Sequence, residues 1–137
     1  MSMKKINVIV EHSGKNFAAY VEELPGCTTT ASSAQELDKN MREAIAGHLE
    51  VMKEYGDKIP AVFNGKYELI YKYEPEALMS IYKGVFTNTG LERITGINSK
   101  QLSHYGTGLK KPRTAQKEKI VHGLHELGRQ LLSVEMR

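Results

Sequence analysis

Ser99, Lys100, Gln101, Ser103 and His104 are five hydrogen-bonding side chains in a run whose apolar members, Leu102 and Tyr105, stand three apart. On a helix that spacing turns Leu102 and Tyr105 inward and the other five outward. A polar helix edge of this kind is what a recognition helix offers to base edges in a major groove, so these five are candidate base contacts. Asn98 stands where an N-cap is needed. Lys110, Lys111 and Arg113 follow Gly106 and Gly108, which can end the helix, and with Asn98 they are candidate contacts to a phosphate backbone. Upstream, Leu91 and Ile94 give a short inward stripe, and Gly96 permits a tight reversal. Gly90 to Arg113 therefore reads as a helix-turn-helix.

Other reactive residue types lack the company that chemistry requires. Two-metal hydrolysis needs several carboxylates converging on paired ions. The chain has only Asp38 and Asp57, while Glu11, Glu22 and Glu23 fall near strand ends. No metal, cofactor or catalytic residue is expected, and the chain is not read as an enzyme. Cys27 has no charged helper beside it in sequence and reads as a small packed residue in a Pro-Gly turn. His122 and His125 have metal-ligand spacing, but no Cys, Asp or third His lies near them in sequence, and they read as surface histidines. His48 lies on an apolar face and reads as a core histidine, and His12 belongs to a hairpin end. Tyr67, Tyr71 and Tyr73 suit a sheet core or a protein contact more readily than base stacking.

The elements that position these residues follow from periodicity. Ile6, Val8 and Val10 alternate with polar or outward neighbours, as do Phe17, Ala19 and Val21, with the turn Ser13-Gly14-Lys15-Asn16 between them. Thr28 to Ala31 is a third β-prone segment after the sharp turn Leu24-Pro25-Gly26-Cys27. Ser33 and Glu36 form a capping box. Leu37, Met41, Ala44, Ile45, His48, Leu49, Met52 and Tyr55 then line one face of a helix that Gly56 and Pro60 end. Tyr67 to Tyr73 alternates as a further strand. The expected class is α+β: a β-β-β-α-β domain over residues 1–73, followed by an all-α domain over residues 74–137.

Charge separates the two halves. Through residue 73 there are nine basic and ten acidic residues, a net of −1; from residue 74 there are ten and six, a net of +4. Between Gly96 and Lys119 six basic residues face one acid, Glu118, which points to an anionic partner for the second half. No apolar run approaches a membrane span, no signal-peptide core is present, and a single cysteine excludes an intrachain disulfide; the expected compartment is the cytoplasm, with no membrane partner.

The helix-turn-helix resembles the Xre type, typified by phage lambda and 434 repressors, over roughly Pro75 to Arg113. Ser99-Lys100 stands where that family commonly has a first-turn Gln, and Gly106 where a charged residue is frequent. The first half resembles the HicB antitoxin family over about residues 4–73. The resemblance is carried by Leu24-Pro25-Gly26-Cys27 between the Tyr20-Val21 strand and the capped helix, and by Glu43-Ala44-Ile45 leading to His48-Leu49-Glu50. It implies a partial ribonuclease-H-like fold that binds and blocks HicA, a small RNA-cleaving toxin. It also implies a C-terminal DNA-binding domain that represses the operon, with operator DNA as the second partner. The alternative readings are a stand-alone, ligand-sensing regulator of the Xre type and an RNA-binding or RNA-cleaving protein with a degenerate nuclease fold.

After Pro112, Thr114 can begin a helix reaching about Val134. Ile120, Leu124, Leu127 and Leu131 recur at spacings of four, three and four, the a/d rhythm of a short coiled coil, and are the candidate dimerisation residues of a homodimer or higher oligomer. In that arrangement Val121, Gly128 and Leu132 would cover the helix's own domain.

Overall fold

Strict alternation sets the first sheet. Strand β1 (Lys4–Ser13) sends Ile6, Val8 and Val10 to one face, where each has no exposed surface. Strand β2 (Asn16–Val21) does the same with Phe17, Ala19 and Val21, and the short β3 (Thr28–Ala31) contributes Ala31. The computed structural model describes residues 3–137. In it β1 pairs antiparallel with β2, β2 antiparallel with β3, and β4 (Tyr67–Tyr73) returns to lie parallel to β1, giving the order β3-β2-β1-β4. The register opposes Ile6 with Leu69, Val8 with Tyr71 and Val10 with Tyr73. The tyrosine stripe is therefore sheet core: Tyr67, Leu69, Tyr71 and Tyr73 pack against the buried cluster.

Helix α1 (Ala34–Glu54) covers that face with Leu37, Met41 and Ile45. At its start Ser33 Oγ accepts the Glu36 amide at 3.2 Å, as a capping box requires. The Glu36 carboxylate does not return to the Ser33 amide. It accepts instead from the amide and hydroxyl of Ser32, at 3.3 and 3.1 Å. The turn Leu24-Pro25-Gly26-Cys27 closes on itself, with the Cys27 amide donating to Leu24 O and the Val21 amide to Cys27 O. Gly26 takes a left-handed φ of +88°, which a residue with a side chain rarely adopts, beside the His48 ring.

A second helix, α2 (Pro75–Ile81), continues this unit. Pro75 suits the first helical turn; Ala77 is fully buried in the sheet's core, and Ile81 packs against the same cluster. The first compact unit thus runs to Ile81, eight residues past the boundary expected from sequence, and the second spans Tyr82–Arg137.

The second unit is all helical: α3 (Asn88–Thr95), α4 (Ser99–Thr107) and α5 (Thr114–Leu132). α5 turns Ile120 and Gly123 inward. Val121 is 45% exposed and Leu132 is 89% exposed, so these two do not cover their own unit as the heptad pattern suggested. The closest approach of α5 to its own unit is made by a glycine, Gly123, rather than by a large apolar residue. Among the described residues, no helix is long and apolar enough to cross a membrane.

Tyr71 ties the sheet to α1. Its hydroxyl donates to Asp38 Oδ1 at 2.5 Å, while Arg42 Nε donates to Asp38 Oδ2 at 3.0 Å. The Tyr71 contact foremost, then Arg42, holds the Asp38 carboxyl below its ordinary range against the opposing effect of burial. Burial, then Asp38, pushes the Tyr71 phenol up. A depressed carboxyl pKa stabilises the folded state above the unfolded value, near 4, and that contribution is lost as pH falls through the folded value. Asp38 remains 45% exposed, so solvent screens the pair and the effect is small. Tyr71→Phe should lower the urea midpoint at neutral pH and shrink its further fall on acidification to about pH 3. Equal acid sensitivity in both proteins would show that Asp38 gains nothing from the tyrosine.

Candidate nucleic-acid interface

The turn between α3 and α4 is built from side chains that satisfy helix ends. Thr87 caps α3 by accepting the Gly90 amide at 2.9 Å. At the other end Thr95 Oγ1 donates to Leu91 O at 2.7 Å and accepts the Ile97 amide at 3.1 Å. Gly96 follows at φ +76°, the left-handed conformation that closes a helix C-terminus without a Cβ penalty. Asn98 Oδ1 then accepts the Lys100 amide at 2.8 Å. The Ser99 amide reaches across the turn to Glu92 Oε1 at 2.6 Å. A carboxylate on an N-terminal amide complements both the unfilled donor and the helix dipole. Two helices joined by three residues are thereby held at a fixed angle.

Their mutual position depends on α5. A Cβ on Gly123 would lie 3.0 Å from the Ile94 carbonyl carbon and 3.3 Å from Thr95 Cα, and closer still to the Ile94 carbonyl oxygen. The helix backbones meet there without a side chain between them. Leu91, Ile97, Leu102, Tyr105 and Ile120 are each at most 6% exposed and supply the buried surface.

With Leu102 and Tyr105 inside, the expected polar edge faces out unevenly. Lys100 and Ser103 are exposed, whereas Ser99, Gln101 and His104 are half-buried. Gln101 Nε2 donates to the Tyr105 hydroxyl at 2.9 Å. His104 Nδ1 is buried without a partner, and its carbonyl accepts the Lys110 amide at 3.2 Å. Asn98 is exposed, its side-chain oxygen engaged in the cap. Lys110, Lys111 and Arg113 are exposed and join Gln101, Tyr105 and Gln116 around a cavity of about 520 Å³. Sequence spacing brought the three cations together but did not find Gln116, which α5 supplies, nor the Gln101–Tyr105 pair. The i, i+4 relation of that pair was the available signal.

The candidate dimerisation residues divide along α5. Ile120 is buried in its own unit, Leu124 and Leu127 are half-buried, and Leu131 is 58% exposed. Beyond Leu131 the chain keeps Leu132, Val134 and Met136 open, at 89, 65 and 96%.

The remaining reactive residue types, in both units, are either engaged structurally or stand exposed. Cys27 is a buried free thiol whose pKa burial pushes up, the opposite of activation. Asp38 is held by Tyr71 and Arg42, and Asp57 is exposed. His122 and His125 are both exposed. Among the described residues, no three His, Cys, Asp or Glu side chains gather where they could hold a metal ion.

Residues 6–74 match the family described as the HicB-like antitoxin of bacterial toxin–antitoxin systems. A UPF0150 protein of Thermoplasma acidophilum is 33% identical over 58 residues, covering 42% of this chain and 84% of the relative. No solved structure matches the chain.

The Gly123 contact distinguishes two glycines that sequence alone does not. Gly123→Ala forces α5 off α3 and should destabilise the second unit by about 1–3 kcal/mol, the range for overpacking. Gly47, on the exposed face of α1 with nothing within 4 Å of an added Cβ, should gain roughly 0.5–1 kcal/mol when changed to Ala. Thermal unfolding followed by circular dichroism reads both. Shifts of the same sign would remove the special role given to Gly123.

Proposed function

Because the chain belongs to the HicB-like antitoxin family of bacterial toxin–antitoxin systems, we propose that it neutralises a HicA-type toxin by steric cover and represses its own operon through the second unit. The first unit is a partial ribonuclease-H-like domain in this reading. It binds the toxin's RNA-cleaving surface and performs no chemistry of its own. The β1-β2-β3-α1-β4 order and the parallel return of β4 beside β1 support that assignment.

The second unit acts as an Xre-type helix-turn-helix. The observation that carries this is the arrangement of α4: Lys100 and Ser103 project from it, while Lys110, Lys111 and Arg113 cluster just past its end. A helix with a polar outer edge fits a major groove, and cations beside its end meet the phosphates that border that groove. Lys100, Ser103 and the half-buried Ser99 and His104 read bases. Asn98, at the turn, lies where a backbone phosphate passes. A single recognition helix buries little surface, so operator-level affinity calls for two copies on half-sites about 34 Å apart. The open apolar residues at the end of α5 and just past it, Leu131, Leu132, Val134 and Met136, are the surface on which the two copies associate, in place of the longer seam that begins at Ile120.

Separation of the two activities tests the reading. Lys100→Ala with His104→Ala should remove preference for the chain's own promoter over unrelated DNA, while the variant still co-purifies with a co-expressed HicA-type toxin. Retained preference in the double variant would move base reading away from α4. Leu131→Glu with Leu132→Glu should yield a monomer in sedimentation, whereas deletion of α5 would also remove Ile120 and Gly123 from the unit's own packing. An unchanged dimer would place self-association elsewhere.

A further inference from the structure

We propose that the cavity at the end of α4 is a phosphate seat, in which the buried Tyr105 hydroxyl and the Gln101 amide act together with Lys110, Lys111, Arg113 and Gln116. The inference rests on the DNA-binding reading for its expected occupant, a backbone phosphodiester, but the site is defined by its own chemistry.

No carboxylate is among the six residues that line the cavity. Three are cations, two are amides and one is a phenol. Tyr105 is 2% exposed, so its hydroxyl is held with little access to water. That hydroxyl accepts from Gln101 Nε2 at 2.9 Å, which leaves its own proton to donate. A buried donor without an acceptor is costly, and three exposed cations lining one site with no carboxylate among them favour an anion there. An apolar ligand would strand the hydroxyl, and a cation would meet like charges. An anion with several acceptor oxygens satisfies the phenol and the amides while neutralising the cations. The volume, about 520 Å³, exceeds the roughly 30 Å³ share of a single water many times over. It leaves room for the sugars on either side of a phosphodiester.

The seat changes the role of Gln101. Its sequence position put it on the base-reading edge, yet its amide is turned to Tyr105 and into the cavity. Gln101 therefore positions the backbone, and the bases are left to the other members of α4.

The full chain is tested with two probes: a mixed-sequence DNA duplex of about 20 base pairs, two helical turns, and inorganic phosphate. Tyr105→Phe removes one hydroxyl and no charge. It should weaken duplex binding about tenfold and leave the salt dependence unaltered, whereas Lys111→Ala should flatten the salt dependence by about one unit of slope. Inorganic phosphate should shift the side-chain amide resonances of Gln101 and Gln116 in the wild-type protein and not in Tyr105→Phe. Should Tyr105→Phe prove poorly folded, Gln116→Ala carries the same expectation of a salt-independent loss. Duplex affinity equal to wild type in the well-folded variant overturns the proposal. Amide shifts with inorganic phosphate but no duplex binding by the wild-type chain would uphold the seat, assign it to free phosphate, and refute the DNA reading. No response to either probe refutes both.

Discussion

The approach of α5 to α3 at Gly123 is the contact on which the candidate interface depends. Backbone meets backbone there, with the Ile94 carbonyl in the place a side chain would take. Everything that gives α4 a defined outer face follows from it. α3 is fixed by α5, and Glu92 on α3 anchors the Ser99 amide at 2.6 Å. Leu102 and Tyr105 are driven inward against the same small core, at 0 and 2% exposure. A unit of this size has few large apolar residues to bury, so its precision comes from close backbone packing and from capped helix ends rather than from bulk. Rigid presentation matters to a groove-binding helix because contacts to base edges are directional hydrogen bonds.

In the first unit the corresponding constraint is the central position of β1. It joins the two kinds of pairing in the sheet, antiparallel to β2 and parallel to β4. Parallel pairing demands a long crossover, and the chain between β1 and β4 supplies it with a hairpin, β3 and α1. The tyrosines of β4 then fall on the core face, and Tyr71 locks strand to helix through Asp38. This explains why the acidic residue best placed to suggest hydrolytic chemistry is a structural partner. It also explains why the tyrosine stripe is half-buried against the core rather than open for base stacking.

Much of this was legible in the sequence wherever the pattern was local. Ile6-Val8-Val10, Phe17-Ala19-Val21 and Leu37-Met41-Ile45 give strand and helix directly, because burial of one face requires their spacing. Gly96 and Asn98 marked the turn between α3 and α4 for a different local reason: a left-handed helix end favours glycine and a helix start favours a side-chain acceptor. What escaped was non-local. The parallel return of β4 is a choice of partner strand that periodicity does not encode. α2 is a single short helix whose buried anchor, Ala77, is too small to announce itself in an apolar pattern. Gly123 and Gly128 look alike in sequence, and only the packing of α3 distinguishes them; Val121 and Leu132, expected to cover a surface of their own unit, stand exposed. The candidate cations were found by composition, but the cavity they share with Tyr105 and Gln116 required α5 to be placed.

Family membership and structure bear on different halves of the mechanism. The match over residues 6–74 speaks to the first unit and to a toxin partner, while the case for DNA rests on the geometry of α4 and the charge around its end. Titration of the full chain into a HicA-type toxin, with RNA cleavage as the readout, tests the central claim of neutralisation by cover most directly. Cleavage should fall linearly and cease at a fixed ratio of the two proteins, with the complex eluting as one species and the chain unaltered by the encounter. Undiminished cleavage in the presence of excess chain, with the two proteins eluting separately, would contradict it.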